Sequence, residues 1–309
     1  HPPNENTNPS INLKAKSSFS TAIRADIIFG QICWSVIHDK GEDQLKYFLN
    51  CFQNNPPFII SDGFIDGYLP KPIIPTNRIE KLSKKQKSIK IDEAKKLKKL
   101  KLIKTKDFIN ICNRRMDNTA ELIDSEYSSF LNIEKQTIRN NIKNKENGLF
   151  SQKEIWTNSE YSFFIKIINK DIFDSFLIEK YIYQIFEIYG YGAKTSIGKG
   201  FFDVKIEDFN HFDNLSGDYG ILLSHCILNR EEKNLLKDSY YKIELKYGKL
   251  GKSKSLSNNP FKKPLIQIKP GSVIKTNKEY VGGMINLIDS QKEVLDYNYG
   301  MLIPLNKDL

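Results

Sequence analysis

The stretch from Asp174 to Ile206 constrains this chain more than any other. Ile178, Ile182, Ile185 and Tyr189 recur at helical spacing, which predicts a helix over Asp174–Tyr189. That helix stops at Gly190, and Gly190, Gly192, Gly198 and Gly200 fall within the eleven residues that follow. A strand then alternates through Phe202, Val204 and Ile206. Glycines lack a Cβ and so let backbone N–H groups approach a ligand closely. Lys194 and Lys199 add charge, and Thr195 and Ser196 offer hydroxyl donors to phosphate oxygens. The order is not a Walker loop, because GxxxxGK(S/T) is absent. Nor is it a dinucleotide fingerprint, which joins a strand to a helix rather than a helix to a strand. Two readings stay open: a site for a phosphate backbone, or an ordinary helix-to-strand turn with surface lysines.

Charge sharpens the choice of partner. The chain has 309 residues, 47 basic and 37 acidic, for a net charge of +10. At roughly 150 residues per domain, about two domains are expected. Arg78–Lys106 holds 13 basic and 3 acidic residues, so this one segment carries the whole surplus. Ala94, Leu97, Leu100 and Ile103 predict a helix in its second half. Such a run is either a solvated helix face or a contact for a polyanion or an acidic subunit. No apolar stretch reaches the ~18 residues of a membrane span. The N-terminal His1-Pro2-Pro3-Asn4 does not read as a signal peptide. Cys33, Cys51, Cys112 and Cys226 are widely spaced, which points to a reducing compartment and thiols used as core side chains. His1, His38, His211 and His225 do not cluster, so no metal site and no cofactor is expected. The expectation is a cytoplasmic protein with no membrane partner.

Ile11, Leu13 and Ala15 alternate as a first strand, and a helix begins at Asp26, whose carboxylate suits the free N–H groups of a first turn. A second helix covers Glu42–Phe52. Pro56–Gly63 is a short apolar run between turn formers, and the prolines of Gly67–Pro72 exclude a helix. Residues 107–160 are polar and read as an insertion or extended hairpin rather than a separate core. Strands are predicted at Tyr161–Ile168, Tyr219–Leu228, Tyr241–Tyr247, Leu265–Lys269 and Tyr297–Leu305, so the C-terminal third is β-rich. No Ser/His/Asp or Cys/His set emerges, and Asp62 and Asp66 are explained by turn chemistry.

Several segments, taken in order, resemble one family. They are Arg24–Trp34, Pro56–Phe64 (PPFIISDGF), Gly67–Pro72 (GYLPKP), Arg139-Asn140-Asn141-Ile142, the Gly190–Gly200 loop and Tyr299–Leu305. The chain resembles the fourth subunit of the type III-A CRISPR effector, the Csm complex, within the RAMP superfamily. Two departures stand out: Ala25 occupies a position where the family often has serine, and Lys145 stands near where relatives tend to carry an arginine. Lysine keeps the charge but not the planar bidentate geometry.

The resemblance implies an α+β fold of two ferredoxin-like (RRM-like, RAMP) units. The first would cover residues 11–210, with an insertion at about 73–160 that includes a thumb hairpin and with the Gly-rich loop at 190–200. The second, β-rich unit would cover 211–309. It implies a non-catalytic RNA-binding subunit that holds the 5′ handle of the CRISPR RNA (crRNA). Such a subunit docks the large polymerase-like subunit and the backbone RAMP subunit, and its thumb, around Arg139–Trp156, reaches target RNA. On this reading Gly192, Lys194, Thr195, Ser196, Gly198 and Lys199 hold handle phosphates. Arg24, Arg139, Asn140 and Lys143 add contacts, Lys262 and Lys263 lie on the same path, and Phe150 wedges against a base pair. Asp26 is then a helix-start residue and not a nuclease residue. Two other readings remain: a metal-independent endoribonuclease that matures precursor crRNA, with His38 as its acid or base, and a generic polyanion adaptor acting through residues 78–106.

Overall fold

A computed structural model describes residues 8–74, 100–113, 133–140, 149–247, 264–286 and 295–306. Strand β1 (Asn8–Ala15) forms because Ile11 and Leu13 point to one side and are fully buried. Helix α1 (Ala25–Lys40) buries Ile28, Phe29, Ile32 and Val36, and Gly41 ends it with φ 84° while its N–H donates to the Ile37 carbonyl at 3.0 Å. Helix α2 (Glu42–Asn54) turns Phe48 and Phe52 inward. The short strands β2 (Phe58–Ile60), β3 (Phe64–Ile65) and β4 (Tyr68–Pro70) follow. Strand β5 (Leu102–Lys104) pairs antiparallel with β4, Leu69 opposite Ile103. The helix expected to include Ile103 is therefore a strand at that end. The rest of Arg78–Lys106 up to residue 99 lies outside the described residues.

Helix α3 (Thr105–Cys112) contributes Phe108 and Cys112 to the main core, so the start of the expected insertion is not merely polar. Strands β6 (Ile133–Asn140) and β7 (Leu149–Trp156) form an antiparallel hairpin. Strand β8 (Tyr161–Ile167) leads to α4 (Lys170–Ser175) and α5 (Ile178–Tyr183). The long helix expected over Asp174–Tyr189 is broken at Leu177, which has φ 55°, and its last turn, Gln184–Tyr189, winds as a π-helix. Ile178, Ile182 and Ile185 are buried as the spacing required. Strand β9 (Phe202–Phe209) follows the Gly-rich loop.

The first sheet runs β2-β8-β1-β9 with every neighbour antiparallel, and β3 also pairs with β8. Along the chain this is a β-α-β-β-α-β path in which the first strand lies between the last two. The second sheet, with β10 (Tyr219–Leu222), β13 (Val273–Lys275), β14 (Tyr280–Asn286) and β15 (Leu295–Leu305), runs β13-β10-β15-β14. Strands β11 (Ile243–Lys246) and β12 (Leu265–Ile268) pair with each other, and Ile268 also forms an antiparallel bridge with Cys226.

One aromatic core joins the two sheets. Tyr297 of β15 stacks on Phe29, with ring centroids 4.7 Å apart, and its hydroxyl accepts from the Ile60 N–H at 2.9 Å. Tyr299 donates its hydroxyl proton to the Phe52 carbonyl. Buried phenylalanines each contribute about 2–3 kcal/mol, so this seam is a main reason the halves stay together. Cys112 and Cys226 are buried free thiols, and burial pushes the Cys112 thiol up to about 12. Among the described residues no helix is long and apolar enough to cross a membrane.

Candidate functional site

The Gly-rich loop, the segment Ser17–Arg24 and the base of the β6–β7 hairpin converge. Phe19 and Ile155 exchange backbone hydrogen bonds of 3.1 and 2.7 Å, which fastens the hairpin base to the segment before α1. The loop docks on the same segment: Gly200 N–H donates to Ser18 O at 2.9 Å, and Ala193 N–H to Thr21 Oγ1 at 3.0 Å. The Tyr191 hydroxyl bonds Ala22 O at 2.8 Å and accepts from Arg24 N–H at 2.9 Å. Tyr191 is fully enclosed, and burial drives its pKa far up, so it stays a neutral bridge.

The glycines serve close packing more than ligand approach. A Cβ on Gly200, at φ 80°, would stand 2.1 Å from Tyr191 O, and one on Gly192 would meet the Thr21 side chain at 2.6 Å. The N–H groups of Gly192, Gly198 and Gly200 donate to Gln31 Oε1, Thr195 O and Ser18 O. Lys194, itself at φ 69°, Ser196 and Gly198 form the exposed apex, with Thr195 half-buried beside them. Lys199 turns inward instead. Its ammonium donates to Ser18 Oγ at 2.7 Å and Glu154 Oε2 at 3.1 Å, and lies 5.1 Å from the Trp156 ring centre. The hydrogen bond from Lys199 holds the Glu154 carboxyl below the usual glutamate range. The pair is mostly buried, with side chains 18% and 7% exposed.

Arg24 is also drawn inward, into a charged cluster that the sequence did not reveal. Its guanidinium donates to Glu244 Oε1 at 3.2 Å and Gln267 Oε1 at 2.5 Å, and Nε lies 3.4 Å from Asp26. Burial opposes this charge, but the Asp26, Asp62 and Glu244 carboxylates outweigh it and raise the Arg24 pKa. Lys246 bridges Asp26 and Asp296. Asp26 lies in the first turn of α1 as expected, and there its carboxylate serves as an ion-pair partner. The cap comes from Asp62, whose Oδ1 accepts from the Ala25 N–H at 2.9 Å. Asp62 Oδ2 also accepts from His225 N–H at 3.2 Å and lies 2.5 Å from His225 Nδ1. Burial would raise Asp62, yet the charge and hydrogen bond of His225, then Arg24, hold it below the usual range. Turn chemistry therefore does not account for Asp62, which is buried and joins α1 to the stretch after β10. Apart from Arg24 and Asp26, the partners lie 37 to 243 positions apart in the chain, so no spacing rule could have found them.

Arg139 and Asn140 lie opposite Phe150 and Leu149 at the far end of the hairpin. At about 3.4 Å per residue, Arg139 stands roughly 20 Å along the strand from the Ile133–Trp156 base. Lys143, Lys262 and Lys263 lie outside the described residues. His38 is exposed in the last turn of α1 and stacks on Trp34 at 5.2 Å. Among the described residues no group of three His, Cys, Asp or Glu side chains is placed to hold a metal ion.

No protein-family model matches the chain, and no curated protein matches it. Solved structures do. A chain of the crystal structure of a Csm3-Csm4 subcomplex in the type III-A CRISPR-Cas interference complex matches with TM-score 0.65 and 18% identity, over 97% of this chain and all of that one. A chain of a Csm1-Csm4 cassette with AMPPNP matches with TM-score 0.60 and 18% identity, over 98% and 99% of the two chains. One from the cassette with pppApA matches with TM-score 0.61 and 17% identity, over 98% and 100%. Csm4 is the component these assemblies share, and the fold of this chain is Csm4-like, the family its sequence resembles.

Proposed function

We propose that the chain is a non-catalytic RNA-binding subunit of a type III-A CRISPR effector that holds the 5′ handle of crRNA. It bridges the large polymerase-like subunit and the backbone RAMP subunit in antiviral defence. The observation that carries this reading is the fold likeness along nearly the whole chain to a component of both Csm1-Csm4 and Csm3-Csm4 complexes. The β-α-β-β-α-β path of the first sheet supports a ferredoxin-like unit over residues 11–210, with 211–309 as a second unit.

The site geometry refines which residues do what. Lys194, Thr195 and Ser196 at the loop apex face handle phosphates. Lys199 and Arg24 act one step back, by fixing the loop and the start of α1. The hairpin, held to the loop through Lys199 and Glu154, carries Arg139, Asn140 and Phe150 toward target RNA. Lys143, Lys262 and Lys263 add charge along the same path.

Fluorescence anisotropy with labelled handle RNA and a scrambled RNA tests the reading. The expected result is tighter binding of the handle, with Lys194→Ala plus Ser196→Ala weakening it and lowering the salt slope by about 0.7 per lost phosphate contact. Equal affinity for both RNAs with an unchanged slope overturns the loop assignment. Site-specific cutting of precursor RNA in EDTA, lost in His38→Ala, overturns the non-catalytic role.

A further inference from the structure

The chain has two tryptophans, and their surroundings differ. Trp34 lies among rings of its own chain, stacked on His38 and edge-on to Tyr189, each with centroids 5.2 Å apart. Trp156 ends strand β7 and is 46% exposed, and among the described residues no aromatic side chain stacks on it. A single exposed apolar residue needs no explanation by itself. What sets Trp156 apart is how firmly it is held and where.

Three contacts fix it. Ile155, its neighbour in the chain, exchanges backbone hydrogen bonds with Phe19. The indole N–H bonds the Glu154 carboxylate, two residues back and so on the same face of the strand. The Lys199 ammonium lies over the ring and is itself tied to Ser18 Oγ and Glu154. The ring is thus set before any ligand arrives, which lowers the entropic cost of stacking on it. Lys199 also joins the ring to the loop apex, because its backbone N–H donates to Lys194 O at 3.3 Å.

A strand that offers phosphates to Lys194, Thr195 and Ser196 also carries a base beside each phosphate. Fixed aromatic rings next to cationic groups bind single strands by stacking, since every base has a π-face. The groups that fix this ring are all polar, whereas a docking surface for protein centres on apolar neighbours.

We propose that Trp156 is a stacking platform for one unpaired nucleobase of the RNA held by the loop apex. The proposal rests on the function proposed above and adds to it a residue that reads a base rather than the backbone. Lys199 and Glu154 are its positioning residues.

The test uses the full chain in a Trp34→Phe background, where Trp156 is the sole indole. Its fluorescence is followed while handle RNA is titrated in, and the titration is repeated with a single abasic site walked along the handle. The expected result is quenching by more than about half, relieved by an abasic site at one position. Anisotropy then compares variants at Trp156. Trp156→Leu should weaken handle binding at least about fivefold, Trp156→Phe should restore most of it, and neither should change the salt slope. A thermal melt confirms that the leucine variant folds; where it does not, the quenching arm, which keeps Trp156, decides.

Bound RNA without quenching, or quenching indifferent to every abasic site, overturns the proposal and leaves the RNA-binding function standing. So does a folded Trp156→Leu chain that binds the handle like wild type. Loss of binding to another protein subunit with handle affinity intact makes Trp156 a protein contact, which also overturns it. Wild-type chain that binds no handle RNA overturns the underlying function as well.

Discussion

The Gly-rich loop and the β11–β12 ribbon use polar and apolar residues in opposite ways. The loop is conspicuous in sequence, yet the Gly192 and Gly200 N–H groups and one of its two lysines are spent on fastening it to Gln31, Ser18 and Glu154, and the Gly198 N–H closes its own turn on Thr195. The ribbon alternates like any half-buried strand pair, yet Glu244 and Lys246 are held by inward ion pairs while Ile243, Leu245 and Ile266 are exposed and Ile268 is buried. Residue type alone therefore does not tell a ligand-facing side chain from a fastening one. A glycine loop can be a joint, and the charged side of a strand can be its inner side.

The comparison can be broken most decisively at Arg24. Arg24→Met removes the cation shared by Glu244, Gln267 and Asp26 and leaves buried groups without their partner. A loss of about 3–5 kcal/mol in urea denaturation is expected. A change under about 1 kcal/mol would mean that the ribbon is held by something other than its polar inner side. The next largest effect separates two glycines of the loop. Gly200→Ala drives a Cβ onto Tyr191 O in a left-handed conformation and should cost about 3 kcal/mol. Gly198→Ala has the same sign of φ but open space around it, and should cost about 1 kcal/mol. Equal costs would show that backbone conformation alone, and not close packing, requires the glycines.

The smallest expected effect is the acid response of the Asp62 contact between α1 and the stretch after β10. The Asp62 carboxyl is held below its ordinary value, so its contribution is complete above about pH 5. It is lost as the pH falls through the unfolded aspartate range toward the lower folded value. Urea midpoints measured from pH 6 down to pH 3 should fall less steeply for Asp62→Asn than for wild type. Parallel curves would remove Asp62 as an acid-sensitive tie.

Much of the fold was legible. Alternation placed β1, β8, β9 and much of the C-terminal third, and the stripes Ile28–Ile32–Val36 and Phe48–Phe52 placed α1 and α2. The failures have specific causes. Ile103 recurs at helical spacing but pairs with Leu69, because a sheet partner overrides a weak local preference. The helix before the loop breaks at Leu177 although nothing in its apolar stripe marks the break. Strands β13 and β14 were not anticipated; Val273–Lys275 is short, and Gly282 and Gly283 interrupt the alternation of Tyr280–Asn286.

The site was legible only as residue types. Local order is written in the chain, so the sequence by itself determined the glycine loop between helix and strand, the helical start after Arg24, and the family it resembles. It could not determine that Lys199 turns inward to Glu154 or that Asp62 caps α1 and meets His225. Nor could it show that Glu244 and Lys246 face Arg24 and Asp26 while Leu245 faces out. Those outcomes depend on groups brought together from 37 to 220 positions apart. Which side of a strand is inside is settled by where a buried charge finds its partner, and only the tertiary structure supplies that partner.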